Sequence, residues 1–281
     1  MITIGLTTWK EHPALINDEQ RDVTLTEYAA VLPTVEVDTP FYGIPRATTV
    51  TKWQQMVPAN FQFILKANKV MTKHDYGSDE VDEDARKQAF VDYKEMIKPL
   101  VRKHQLKTIL FQFPPFFRRS AENLQWLFEI RDMMGNLPIA VEFRNPSWYE
   151  ETLIPDLMDY LTRLHMTHVI VDEPHRLNDG VPLVADATTP ELALLRLHGR
   201  NEKGWFDQGK DWRGKRTLYR YSEAELKQFA AVINQLTPKV KEVCIIFNNN
   251  SNRDAAPNAL ELQRMMGISW DGLGLQQLSL F

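Results

Sequence analysis

The chain is poor in cysteine: Cys244 is the only one in 281 residues. A single thiol excludes an intrachain disulfide framework and a multi-cysteine zinc site, and it suits a reducing cytoplasm. Long apolar runs are missing as well. No stretch reaches the about 18 consecutive apolar residues of a membrane helix, and the opening Met1-Ile-Thr-Ile-Gly-Leu has no basic leader. The expectation is a soluble cytoplasmic protein with no membrane partner. Charge of one sign is not in excess: 33 basic against 37 acidic residues leave a net charge of −4. No bulk positive field draws nucleic acid, so any anion site must be local. Neither G-x-G-x-x-G nor the P-loop pattern follows an apolar run, so there is no nucleotide-cofactor motif. Internal repeats and low-complexity linkers are lacking too.

What remains is ordinary globular composition, 43% hydrophobic and 25% charged. Eight short β-type runs recur along it: Ile2–Thr7, Thr34–Asp38, Phe61–Lys66, Thr108–Phe113, Ile139–Phe143, His168–Asp172, Leu192–Leu197 and Val243–Phe247. Between them lie patterns of period 3.6, such as Phe90, Tyr93, Ile97, Leu100 and Val101, then Leu124, Leu127 and Phe128, then Leu153, Leu157, Leu161 and Leu164. Ser222 with Glu225 forms a capping box, Pro155 fits a first helical turn, and Pro257 with Gly267 brackets the last helix. Strand and helix alternating eight times predict a TIM-type (β/α)8 barrel, residues 1–281 as one domain; a doubly wound open sheet is the alternative. Between Asp172 and Leu192 the chain reads as loop, so the sixth helix is expected to be reduced or irregular. The acidic tract Asp75–Asp84 reads as a solvated loop leading into a helix.

In such a barrel chemistry sits at the C-terminal ends of the strands. Polar residues close these otherwise apolar runs: Glu36, Asp38, Lys66, Gln112, Glu142, Arg144, Asp172, Arg196, His198, Arg200 and Asn248. Alternation puts Glu36 with Asp38, Glu142 with Arg144, and Arg196 with His198 on the inward face of their strands. Ionisable groups share a barrel interior only if they pair, bind a ligand or meet water. One reading is a structural ion network. The other is a mouth for a polar ligand, with Glu142, His198 and Asp172 as catalytic groups. Aromatic residues near the mouth, among them Tyr42, Trp148 and Trp205, suit the faces of sugars or bases or simply pack the loops.

These residues fall in segments that resemble the YecE-like family of unknown function, DUF72. The matching stretches are Val35–Tyr42, Trp53 to Pro58, Phe61–Ala67, Gln112–Pro115, Val141–Arg144 with Trp148, Val171–Pro174, Arg196–Arg200, and Phe247–Asn249 before Asn258-Ala259. Asp38 stands where that family often has Asn. The resemblance implies a TIM-type barrel and transfers no activity. It also implies a distant fold-level likeness to metal-dependent barrel endonucleases of abasic DNA and to sugar-isomerase barrels.

Three functions follow as expectations. The first is an enzyme, a hydrolase, isomerase or lyase, binding a small anionic, phosphorylated or carboxylated sugar-like substrate. Its substrate-binding residues would be Glu36, Asp38, Tyr42, Lys66, Gln112, Arg144, Trp148, Arg196, Arg200 and Asn248. The second is a divalent-metal phosphodiesterase holding Mg²⁺ or Mn²⁺ on Glu36, Glu142, Asp172 and His198, since one histidine is too few for a typical zinc site. The third is a non-catalytic nucleic-acid binder that uses the mouth's arginines and aromatics on single-stranded or flipped nucleotides, a reading the net acidity disfavours. The sequence leaves the oligomeric state open.

Overall fold

The computed structural model describes residues 1–18, 20–75, 82–206 and 212–274. Its strands are β1 (Ile2–Thr7), β2 (Thr34–Val37), β3 (Gln62–Lys66), β4 (Leu106–Gln112), β5 (Ile139–Glu142), β6 (Met166–Asp172), β7 (Leu192–Leu197) and β8 (Glu242–Phe247). They pair in sequence order and in parallel, and β8 closes on β1. This is the TIM-type (β/α)8 barrel.

The connections hold helices α1 (Leu25–Ala29), α2 (Thr39–Tyr42), α3 (Ala47–Gln55), α4 (Glu83–Arg102), α5 (Ala121–Met134), α6 (Ile154–Arg163), α7 (Glu202–Phe206), α8 (Trp212–Arg216), α9 (Glu223–Leu236) and α10 (Ala255–Met265). Side chains of Asp82, Ser120 and Ser222 accept the N3 amides of α4, α5 and α9, and Glu225 completes the capping box at α9. Each cap is worth about 1 kcal/mol. Pro155 sits in the first turn of α6. Residues 173–191, between β6 and β7, contain one isolated bridge, Arg176 to Asp179, and no helix. Gly180 explains the tight path there: its φ is +73°, and a Cβ would lie 2.2 Å from the Pro174 carbonyl oxygen.

Some expectations need correcting. Val101 and Phe128 are 39% and 54% exposed, at the edges of apolar stripes whose centres are Leu100 and Leu127. Asp75 is not solvated: it is buried and paired with buried Arg86 at 2.8 Å. Asp79 and Glu80 lie outside the described residues, while Asp82, Glu83 and Asp84 are exposed at the start of α4.

Register decides which side chains face the barrel axis. Glu36 pairs with Thr7 and Ile64, Gln112 with Glu142, and Arg196 with Val171 and Ile246. Inward positions at mid-barrel are apolar and buried: Ile64, Leu110, Ala140, Val169, Leu194 and Ile246. Toward the C-terminal ends the same faces turn polar, so the charged layer rests on a packed core. Among the described residues no helix is long and apolar enough to cross a membrane.

Candidate functional site

A chain of alternating acidic and basic side chains crosses the C-terminal end of the barrel. From β2, Glu36 takes the Arg196 guanidinium bidentately, Nε at 2.8 Å and Nη2 at 2.5 Å. Arg196 Nη1 then bonds Glu142 Oε2, and Glu142 Oε1 receives Gln112 Nε2 at 2.6 Å and lies 2.6 Å from Arg144 Nε. Arg144 Nη1 ends the chain on Glu173, whose other oxygen accepts the Val181 N–H at 3.1 Å. The side chains of Glu36, Glu142 and Glu173 are 0% exposed and that of Arg196 is 1% exposed. Buried charges at this depth persist only because each is paired and hydrogen-bonded.

The groups respond differently to burial. Burial raises Glu36 despite the pull of Arg196. At Glu142 burial is outweighed by Arg144 and Arg196, which hold this carboxyl well below the usual range. Glu173 is pushed up to about 8 because burial exceeds the help of Arg144, and Glu142 adds repulsion. Burial and then Arg144 lower His198 to about 3, so its ring is neutral. Arg144 Nη2 and Arg196 Nη1 point at His198 Nε2 from 3.1 and 3.4 Å, and the Asn248 amide meets Nδ1 at 2.8 Å. Nε2 also lies 3.4 Å from Glu142 Oε1, and the group facing Nδ1 is the Asn248 amide nitrogen, so both ring nitrogens are engaged by side chains of the network. Asn248 is itself held by Thr7 at 3.0 Å.

Above this sealed layer lies the part that solvent reaches. Lys66 and Arg144 side chains are 14% and 12% exposed, and Asp38 is 32% exposed. Lys66 Nζ sits 3.8 Å from Asp38 and 4.8 Å from the Phe41 ring centre, and among the described residues Asp38 Oδ1 has no hydrogen-bond partner. Trp205 on α7 roofs the other side, its ring 5.3 Å from Arg144 Cζ, 4.8 Å from Arg216 Cζ and 6.1 Å from the His198 ring.

The expected residues Glu36, Gln112, Glu142, Arg144, Arg196, His198 and Asn248 are thus brought together, with Asp38 and Lys66 at the same mouth. Others are not. Asp172 pairs in register with Leu197, one residue past inward Arg196, so it faces away from the axis. There it binds Arg200 at 2.8 Å and Tyr221 at 2.7 Å, and Arg200 continues to Glu225 on α9. Trp148 is fully buried, stacked on Phe143 at 4.1 Å and donating its indole N–H to the Phe117 carbonyl, so it offers no face to a ligand. Tyr42 is 76% exposed on the rim. Because Asp172 faces outward, the set proposed for Mg²⁺ or Mn²⁺ does not converge. Among the described residues no three His, Cys, Asp or Glu side chains are grouped to hold a metal. Sequence reasoning missed Glu173 as a site residue. Its signal was present, since it stands two positions after inward Val171, as Arg144 stands after Glu142.

A closed eight-stranded barrel with a polar C-terminal mouth defines a TIM-type barrel protein. The chain belongs to the family described as protein of unknown function DUF72, whose profile matches residues 3–279. The UPF0759 protein YunF of Bacillus subtilis (strain 168) is 37% identical over 284 residues, covering 100% of both chains. A crystal structure of a DUF72 family protein from Enterococcus faecalis V583 is similar with TM-score 0.92 and 37% identity, covering 99% of this chain and 100% of that one. A DUF72 family protein from Thermotoga maritima MSB8 follows with TM-score 0.78 and 27% identity over 95% of this chain and 100% of its own.

Proposed function

We propose that the chain is an enzyme whose barrel mouth binds a small anionic molecule, phosphorylated or carboxylated and sugar-like. One observation carries the reading: the solvent-reached Lys66 ammonium makes no hydrogen bond among the described residues, and its nearest carboxylate is 3.8 Å away. An accessible ammonium beside the Arg144 guanidinium is a site for an oxyanion. Gln112 and Asn248 offer amides to hydroxyl groups at the same level, and Trp205 shields one side from water. Below them, ionised Glu142 and neutral His198 take protons once Arg144 turns onto the ligand, while Glu173, protonated near neutral pH, supplies one. The sealed carboxylates also hold the guanidiniums in place, which is the positioning role such sites require.

Thermal denaturation with sugar phosphates, sugar acids and neutral sugars tests this. Ligand that binds the native state raises Tm with concentration. A saturable rise is expected with anionic sugars and not with neutral ones, and it should be reduced in Lys66→Met. No saturable rise across the panel, or an equal rise in the variant, overturns the site. For a ligand that binds, Glu142→Gln should keep binding and lose turnover; unchanged turnover removes Glu142 from the chemistry.

A further inference from the structure

The barrel has a second polar end. At its N-terminal opening β3 and β4 slip in register: Phe63 pairs with Leu106 and Ile64 with Thr108, leaving Lys107 as the extra residue of a bulge. A bulge re-aims its side chain. Lys107 crosses the opening to Glu242 on β8, whose carboxylate also takes the Thr3 hydroxyl at 2.5 Å. Cavities of about 840 and 280 Å³ lie at this end, and Lys107 lines both.

Among the described residues, the smaller cavity holds a positive charge without a counterion. Arg131, at the end of α5, gives Nη1 to the His165 carbonyl at 3.2 Å and Nη2 to the Leu137 carbonyl at 2.8 Å, and among the described residues no carboxylate pairs with it. Among the described residues its Nε–H has no acceptor. Neither has the Thr108 hydroxyl, on a residue 1% exposed that lines the same cavity. Glu191, the acid on this wall, is exposed and lies 3.7 Å from Lys241. Buried donors without acceptors are rare in native proteins, and each calls for a partner. One guanidinium N–H and a hydroxyl lack acceptors among the described residues, and the guanidinium charge has no carboxylate beside it, so the matching partner is rich in acceptors and negative.

We propose that this cavity binds a small oxyanion, a phosphate or carboxylate group, on Arg131 and Thr108, beside the Lys107 stem on its wall. At about 280 Å³ it suits an inorganic anion or a short-chain acid. The site is separate from the mouth and stands whether or not the mouth binds sugars.

The test uses full-length Lys66→Met protein, to weaken the mouth, titrated with inorganic phosphate, acetate or chloride at matched ionic strength. Thermal denaturation and, for phosphate, ³¹P line broadening are the readouts. A saturable response to phosphate, acetate or both is expected, and which anion responds names the source. Adding Arg131→Gln should weaken binding at least about tenfold, the worth of a charge-assisted hydrogen bond. Thr108→Val, nearly isosteric, should weaken it with the fold intact, and it decides the matter if Arg131→Gln does not fold. A linear, unsaturable rise shared by all variants is general salt exclusion and overturns the proposal, as does no response to either oxyanion.

Discussion

Replacing Arg196 with Met should destabilise the barrel by up to about 3 kcal/mol at pH 7, and by less at lower pH. The guanidinium meets Glu36 through two bonds, and both side chains are sealed from water. Glu142 keeps Arg144 when Arg196 is lost, whereas Glu36 loses its only ion-pair partner among the described residues. Methionine retains most of the apolar stem, so the change is chiefly electrostatic. A buried carboxylate left alone takes up a proton instead of staying charged. Holding that proton at pH 7 on a carboxyl of ordinary value 4.5 costs about 1.4 kcal/mol for each of 2.5 pH units, a little over 3 kcal/mol. This is a ceiling, because burial already raises Glu36 in the native protein. The sign follows: with Arg196 gone, Glu36 moves further up, so variant stability is full below about pH 4.5 and falls as pH rises. Urea unfolding at pH 5, 6 and 7 of the native protein, Arg196→Met and Arg196→Met with Glu36→Gln measures it. The loss should grow with pH by up to about 1.4 kcal/mol per unit, and Glu36→Gln should recover the pH-dependent part. A loss as large at pH 5 as at pH 7, or no recovery in the double variant, refutes the reasoning.

Three further outcomes are expected. Glu173, raised to about 8, favours folding while protonated, so between pH 4.5 and 8 it removes stability at about 1.4 kcal/mol per unit. Glu173→Gln should flatten that slope in pH-dependent unfolding, and an unchanged slope would mean the carboxyl is ionised throughout. Asp172→Asn should cost about 1–3 kcal/mol by weakening the bonds to Arg200 and Tyr221. It should leave any anion-induced rise in Tm intact, since the side chain faces away from the mouth; a lost response would return Asp172 to the site. Gly199 has φ +91°, and a Cβ there would lie 2.6 Å from the Tyr219 Cβ, so Gly199→Ala should lower stability by about 1–3 kcal/mol. An unchanged melting temperature would contradict that close approach.

The strands were legible because apolar runs ending in polar residues leave a two-residue signature that register preserves. Glu142 with Arg144 and Arg196 with His198 needed only parity within one strand. Asp172 failed the same logic because its parity is set by the pairing with Leu197 on β7, which no single run reveals. Glu173 escaped because it lies beyond the strand end, where alternation persists in space after the β pattern stops. Asp75 was misread for a related reason: its partner Arg86 lies 11 residues away across a helix start, and local charge density carries no record of burial. The missing sixth helix was visible because Pro174 and Gly180 act on the local backbone itself.

The charge chain at the mouth also bears on how slowly the barrel opens. It links Glu36 on β2 to Arg196 on β7, 160 residues away, and continues through β5 to Glu173 beyond β6. Contacts between such distant segments must await closure of the intervening loop. Contacts absent from the folding transition state act on the unfolding rate and leave the folding rate nearly untouched. A clasp that closes after the folding transition state would give the barrel persistence in time beyond what its equilibrium stability conveys, by keeping its first and second halves from parting.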